Sequence, residues 1–265
     1  MIAATAPGKV ILFGEHAVVY GRPALAAPIT HLRARATIEP TGKPDVALIA
    51  PDLNRLAWLS NVHPHNPLAA VVRVVERHFG CSLSDGYSLS VTSAIPIASG
   101  LGSGAAISVA VIRALALYME RGDSTTRDEV SRLAYEVERL HHGTPSGVDN
   151  TVIAFEQPVY FVRHDPSPMI EPFSTARPLR LVIGDTGVRS ATKDVVGDVR
   201  RQWAVEFARF EAIFDACGRL AEAGRQALAA GDLPAVGALM NENHEWLARM
   251  TVSSPPLDAL VDAAR

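Results

Sequence analysis

The chain has 265 residues, 48% of them apolar and 20% charged, with a formal net charge of −3. That composition suits a folded protein of one large or two smaller domains with ample core. It excludes a basic footprint for nucleic acid or for an anionic membrane surface. The two cysteines, Cys81 and Cys217, lie far apart. They indicate no disulfide framework, so a cytoplasmic protein is expected. Met1–Phe13 lacks a basic n-region and Lys9 interrupts its apolar run, so no signal peptide is expected. Gly86–Ile112 is uncharged and long enough to span a bilayer. Its Ser, Gly and Pro content and central turn argue against a membrane span.

Val10–Phe13 reads as a buried strand, entered through Gly8-Lys9 and left through Gly14-Glu15-His16. Charged groups at both ends are either solvated strand ends or functional groups, and the flanking glycines suggest close backbone approach. Arg22–Ala36 is strand-like with a break at Pro28, and Thr41–Pro44 is a turn. Asn66-Pro67 opens a helix that runs through Phe79 and stops at Gly80. Tyr87–Val91 alternates as a strand does.

Ile95–Ala106 then forms a Gly/Ser-rich loop that opens into a helix over Ala105–Met119. Unpaired amides and the positive dipole end at such a junction make an anion site, and glycines let a phosphate approach the backbone. A plain strand-to-helix turn is the alternative, but it needs fewer glycines and serines. The loop lacks the lysine of the Walker pattern. Gly100, Gly102 and Ala105 fit the loose dinucleotide fingerprint. Glu120 and Asp123, at the distance of the ribose-binding acid, follow no strand, which argues against a dinucleotide oxidoreductase.

Thr126 and Glu129 form a capping box for the next helix, with one apolar face built from Val130, Leu133, Ala134, Val137 and Leu140. Glu138 lies off that stripe near the helix C-terminus, where the dipole disfavours a carboxylate. It is either a surface charge or a metal ligand offset by a cation. His141-His142 invites a zinc reading, but adjacent histidines on a helix do not face one another and no third ligand follows at a suitable spacing. The Pro145-Ser146-Gly147 turn aims Asp149 away from any regular element, as a turn former or a catalytic group.

Gln157–Val162 is a strand, and Pro166–Pro178 reads as a linker. Leu179–Ile183 reads as a short strand, followed by one or two helices over Thr192–Ala230 broken near Gly218, a helix over Asp232–Met250 and a last one opened by Ser254-Pro255. A lone strand leaves its backbone groups unpaired, so further C-terminal strands are expected to be absent or disordered.

Three of these stretches together resemble the GHMP kinases, the family of galactokinase, homoserine kinase, mevalonate kinase and phosphomevalonate kinase. Pro7–Gly21 resembles the family's first motif, Pro96–Ala106 its phosphate-binding second motif, and Glu138–Asn150 its acid-bearing segment. Asp185–Val195 is similar to the opening of the second domain. Gly14–Gly21 paired with His142–Asn150 is most similar to the mevalonate kinase branch.

The resemblance implies an α+β, two-domain GHMP kinase fold. Residues 1–176 would form a ribosomal protein S5 domain 2-like N-terminal domain carrying the ATP and substrate motifs. Residues 177–265 would form a ferredoxin-like C-terminal domain lacking its last strands and its glycine-rich motif. The implied reaction is ATP-dependent phosphorylation of mevalonate to 5-phosphomevalonate in isoprenoid biosynthesis, with Mg²⁺, no nucleic-acid or membrane partner, and room for a homodimer. Gly100, Leu101, Gly102, Ser103, Gly104 and Ala105 would hold the ATP phosphates. Glu138 and Ser103 would hold Mg²⁺. Asp149 would accept the proton of the substrate hydroxyl, with Lys9 paired to it. Glu15, His16 and Thr192 would contact mevalonate. The family usually carries a second serine where this chain has Gly104. Another small-alcohol kinase of the family, acting on a sugar or on phosphomevalonate, and a non-catalytic ATP-binding relative are the alternatives.

Overall fold

The computed structural model describes residues 1–63, 65–82, 86–142, 145–188 and 192–265, with the side chains of residues 141–142 and 192–194 outside the description. Two compact units emerge. The first comprises residues 1–10, 28–97 and 101–156, the second residues 11–27, 98–100 and 157–265.

In the first unit, β1 (Ile2–Phe13) pairs with β2 (Ala24–Pro40), two strands that also run into the second unit. Next come β3 (Ala47–Ala50), β4 (Arg55–Trp58) and, after α1 (Pro67–Phe79), β5 (Tyr87–Ser93). β5 runs antiparallel to β2 and parallel to β3, and β3 runs antiparallel to β4. Ala36 faces Val91 and Ile38 faces Leu89, all four buried, so alternation sets this register. β3 and β4 are each four residues long, too short to show alternation in the sequence.

Helix α2 (Ser103–Tyr118) touches α1, α3 (Arg127–His142) and α4 (Val148–Phe155), and packs on β5. It is apolar nearly all round, with Ala105, Ala106, Val109 to Ile112 and Ala114 to Ala116 buried, as an interior helix requires. α1 begins as the sequence indicates: Asn66 Oδ1 accepts the amides of Leu68 and Ala69 at 3.0 and 3.2 Å. Half of the expected capping box forms at α3. The Glu129 amide donates to Thr126 Oγ1 at 3.2 Å, while the Glu129 carboxylate pairs with His78 at the end of α1.

The end of α4 is clamped. Arg33 Nη2 donates to Glu156 Oε2 at 2.9 Å, and Arg113 of α2 pairs with Oε1 of the same carboxylate. Arg113 also donates to the carbonyls of Thr5 at 2.9 Å and Ala154 at 2.8 Å. One carboxylate shared by two guanidiniums thus fixes the axis of α4 against β1, β2 and α2.

In the second unit, β6 (Val159–Val162) runs antiparallel to Ala24–Ala26 of β2 and to β7 (Met169–Pro172). Helices α5 (Thr192–Val205), α6 (Phe207–Ala230), α7 (Leu233–Arg249) and α8 (Pro255–Ala264) follow. Phe210, Ile213, Phe214 and Cys217 of α6 form a core with Ala17, Val199 and Met250. Tyr20 stacks on Phe214 with ring centroids 4.1 Å apart. Arg22 donates to Glu211 at 2.6 Å and to Asp215 at 2.8 Å, tying the residues after β1 to α6.

Four sequence expectations are corrected. Leu179–Ile183 is irregular and largely exposed, not a strand; no described segment pairs with it, and an unpaired extended segment gains nothing from strand geometry. Pro166–Pro178 is not a bare linker, because β7 lies within it. Pro28 does not break β2: it lies outside the registers with β5 and β6, so its missing N–H costs neither ladder a bond. The break in the long helical stretch falls at Glu206, not at Gly218. Gly218 is mid-helix because a side chain there would meet Arg22 Cγ at 3.1 Å and Pro23 Cδ at 3.2 Å.

Two helical glycines predict opposite effects. A Cβ on Gly224 would lie 2.7 Å from the ring of buried Phe13, so Gly224→Ala should cost about 1–3 kcal/mol by overpacking. Gly237 in α7 is exposed with open space around it, so Gly237→Ala should stabilise by about 0.5–1 kcal/mol. Thermal denaturation of both variants checks the pair; a lowered midpoint for Gly237→Ala or an unchanged one for Gly224→Ala contradicts the packing described.

Candidate active site

The glycine-rich loop ends where α2 begins. Gly102, the residue before the helix, has φ +76° and supplies no capping side chain. The first amides of α2 therefore remain available to an anion. A Cβ on Gly102 would fall 2.8 Å from Lys9 Cγ and 3.1 Å from Ile153 Cδ1. Glycine is needed here for both its backbone conformation and its lack of volume. The Lys9 amide donates to the Leu101 carbonyl at 2.9 Å, which locks loop and strand together. Ala105 and Ala106 are buried and anchor the first turn, Ser103 is half-buried, and Gly104 is exposed with open space where a side chain would stand.

Against this loop lies an ion pair. Lys9 Nζ is 3.1 Å from Asp149 Oδ1, with the lysine side chain 9% and the aspartate side chain 30% exposed. The ammonium is thus nearly enclosed while the carboxylate reaches solvent. Asp149 does not stand off regular structure as the sequence indicated. It lies in the first turn of α4, directly after Gly147 at φ +90°, where the helix dipole favours a carboxylate. Its neighbours hold it there. Asn150 Nδ2 donates to the Ser131 carbonyl at 3.0 Å and to Ser131 Oγ at 2.9 Å, and Thr151 Oγ1 donates to the Gly147 carbonyl at 2.7 Å.

Glu138 of α3 joins the pair. Burial first, and the Asp149 charge second, push its carboxyl up to about 8, against the opposing pull of Lys9. It is therefore no ordinary surface charge. Two carboxyl groups this close offer hard oxygens, and a divalent cation would lower the energy of a buried carboxyl crowded by another acid. Among the described residues no three His, Cys, Asp or Glu side chains form a self-sufficient metal cluster. A cation here would also need oxygens from a ligand. His141 and His142, considered for zinc, have side chains outside the described residues.

Glu15 and His16 belong to the second unit. Gly14 before them has φ +84°, and a Cβ there would collide with the Pro23 carbonyl at 2.2 Å. His16, at φ +61°, opens a short 3-10 turn over Ala17–Tyr20. The Glu15 carboxylate accepts from Asn243 Nδ2 at 3.2 and 3.3 Å. The Thr192 side chain lies outside the described residues. Asn243, Asn150 and Ser131 had not been singled out in the sequence. Position 150 borders the candidate acid. Asn243 lies three, four and seven residues before Trp246, Leu247 and Met250, so a polar residue on an apolar helical face was its only signal.

No described helix is long and apolar enough to cross a membrane. The model of the GHMP kinases N terminal domain matches residues 66–157. A protein named mevalonate kinase in Pyrococcus horikoshii is 32% identical over 284 residues, spanning 100% of this chain and 82% of the relative. One of the same name in Aeropyrum pernix is 35% identical over 271 residues, spanning 97% and 80%. The crystal structure of L. major mevalonate kinase in complex with R-mevalonate superposes with a TM-score of 0.81 at 30% identity, over 98% of this chain and 79% of that one. With the α+β fold, the glycine loop and the acid-bearing helix in place, the chain belongs to the GHMP kinase family of small-molecule kinases, which use ATP.

Proposed function

We propose that this protein is a mevalonate kinase, moving the terminal phosphoryl group of ATP to the primary alcohol of mevalonate. The observation that carries the reading is the 3.1 Å Lys9–Asp149 pair set directly against Leu101 and Gly102. The substrate rests on the sequence motifs and on relatives that share that name at about a third identity.

Phosphoryl transfer asks for alignment and charge neutralisation more than for covalent chemistry. The open amides at the start of α2 bind phosphate oxygens, and the missing side chains at Gly100, Gly102 and Gly104, with Leu101, Ser103 and Ala105 between and behind them, let them come close. Asp149 accepts the proton of the substrate hydroxyl. Lys9 pairs with it at 3.1 Å, the first turn of α4 holds it in place, and its partial exposure leaves it reachable. Lys9, nearly buried, is a fixed positive charge that needs no reorganisation as negative charge shifts on the transferring group. Glu138 and Ser103 would hold Mg²⁺, which when bound neutralises phosphate charge. Glu15, His16 and Thr192 are assigned to mevalonate's polar groups on the motif resemblance.

With ATP and a panel of alcohols, the protein should phosphorylate mevalonate and leave galactose and phosphomevalonate untouched, read as ADP release. Turnover of a sugar without turnover of mevalonate would replace this reading with a sugar kinase, and ATP binding without any ADP release would point to a non-catalytic relative. Lys9→Met and Asp149→Asn should each keep the fold by circular dichroism and lose at least about a hundredfold in kcat. Near-normal turnover in both contradicts their roles. Gly104→Ser meets no neighbour and should keep the melting temperature while altering the Mg²⁺ concentration needed for half-maximal rate. An unchanged titration would remove position 104 from the metal site.

A further inference from the structure

We infer that Asn243 is a positioning residue that fixes the Glu15 carboxylate for substrate binding, an inference that rests on the proposed assignment of Glu15 to mevalonate. Asn243 is 3% exposed, on the face of α7 that continues as Trp246, Leu247 and Met250 into the core with α6. An apolar side chain would be the stable choice at such a position. Instead the amide sends Nδ2 to both oxygens of Glu15, at 3.3 Å to Oε1 and 3.2 Å to Oε2. This orientation of the amide is dictated by charge, since the opposite one would set Oδ1 against a carboxylate. In consequence Oδ1 is buried without a partner among the described residues, an arrangement that costs stability.

The surroundings of Glu15 show what the contact does. Cys217 of α6 is fully buried, and burial, with the Glu15 charge adding to it, pushes its thiol up to about 12. Cys217 therefore stays a neutral thiol. Asn243 spans the two oxygens from α7 and thereby restricts rotation of the carboxylate plane. A substrate hydroxyl meeting Glu15 then finds an acceptor whose direction is already set, so less ordering remains for the binding step.

The test compares Asn243→Leu, Glu15→Gln and the double variant by steady-state kinetics and melting temperature. Asn243→Leu removes the donor, keeps the branching at Cγ and suits a core face. It should melt no lower than the parent, raise KM for mevalonate by about tenfold and leave kcat and KM for ATP within about threefold. The double variant should be no worse for mevalonate than Glu15→Gln alone, because both changes break one contact. Asn243→Ala, which introduces no new bulk, is read the same way should leucine not be accommodated. If Glu15→Gln raises KM for mevalonate and the Asn243 variants do not, the positioning inference falls while the assignment of Glu15 stands. If Glu15→Gln leaves that KM unchanged, both fall. Equal rises in both substrates' KM, or a lowered melting temperature with unaltered kinetics, assign Asn243 a structural role and overturn the inference.

Discussion

The close approach of Lys9 to Gly102 is the constraint on which the rest of the site depends. The aliphatic stem of the lysine fills the space where any other residue at position 102 would carry a side chain. That contact sets the glycine loop, the start of α2 and the end of the lysine within reach of one another. It also brings Ile153 of α4 against the same glycine, so the helix bearing Asp149 abuts the same point. The ammonium and the carboxylate meet at 3.1 Å because three backbone segments converge where one side chain is missing.

Electrostatics follow from this packing. Lys9 is enclosed, Asp149 is held by the first turn of α4 and stays accessible, and Glu138 is crowded into a state in which its proton is hard to lose. The two acids thus differ by environment, one paired with a lysine and reachable, the other buried. The clamp of Arg33 and Arg113 on Glu156 holds the far end of α4, and the Asn150–Ser131 hydrogen bonds hold its near end. With both ends of its helix fixed, the Asp149 side chain has little room to wander.

Much of this was legible in the residues themselves. The glycine loop running into an apolar helix, the Asn66 cap and the Tyr87 strand follow from local chemistry, and each is present. Lys9, Asp149 and Glu138 were identified by their motifs, and their convergence could not be read from spacing because it depends on long-range packing. Asp149 looked like a loop residue because Pro145-Ser146-Gly147 is a strong turn signal. Gly147, in a left-handed conformation, leads directly into α4 instead. Gly218 looked like a helix break because propensity cannot see that Arg22 and Pro23 lie against it. Leu179–Ile183 has the apolar composition of a strand, but composition supplies no neighbour to pair with. Asn243 carried no motif at all, and only the fold places its amide on Glu15.

The central claim is that the Lys9–Asp149 pair faces a reacting alcohol and a terminal phosphate. A crystal structure of the protein with mevalonate and a non-hydrolysable ATP analogue tests it most directly. The account predicts the primary hydroxyl about 2.6–3.2 Å from an Asp149 oxygen, with Lys9 Nζ turned to the terminal phosphate and the other phosphates on the first amides of α2. A hydroxyl beyond the reach of Asp149, or phosphates bound away from the Gly102 turn, would contradict it.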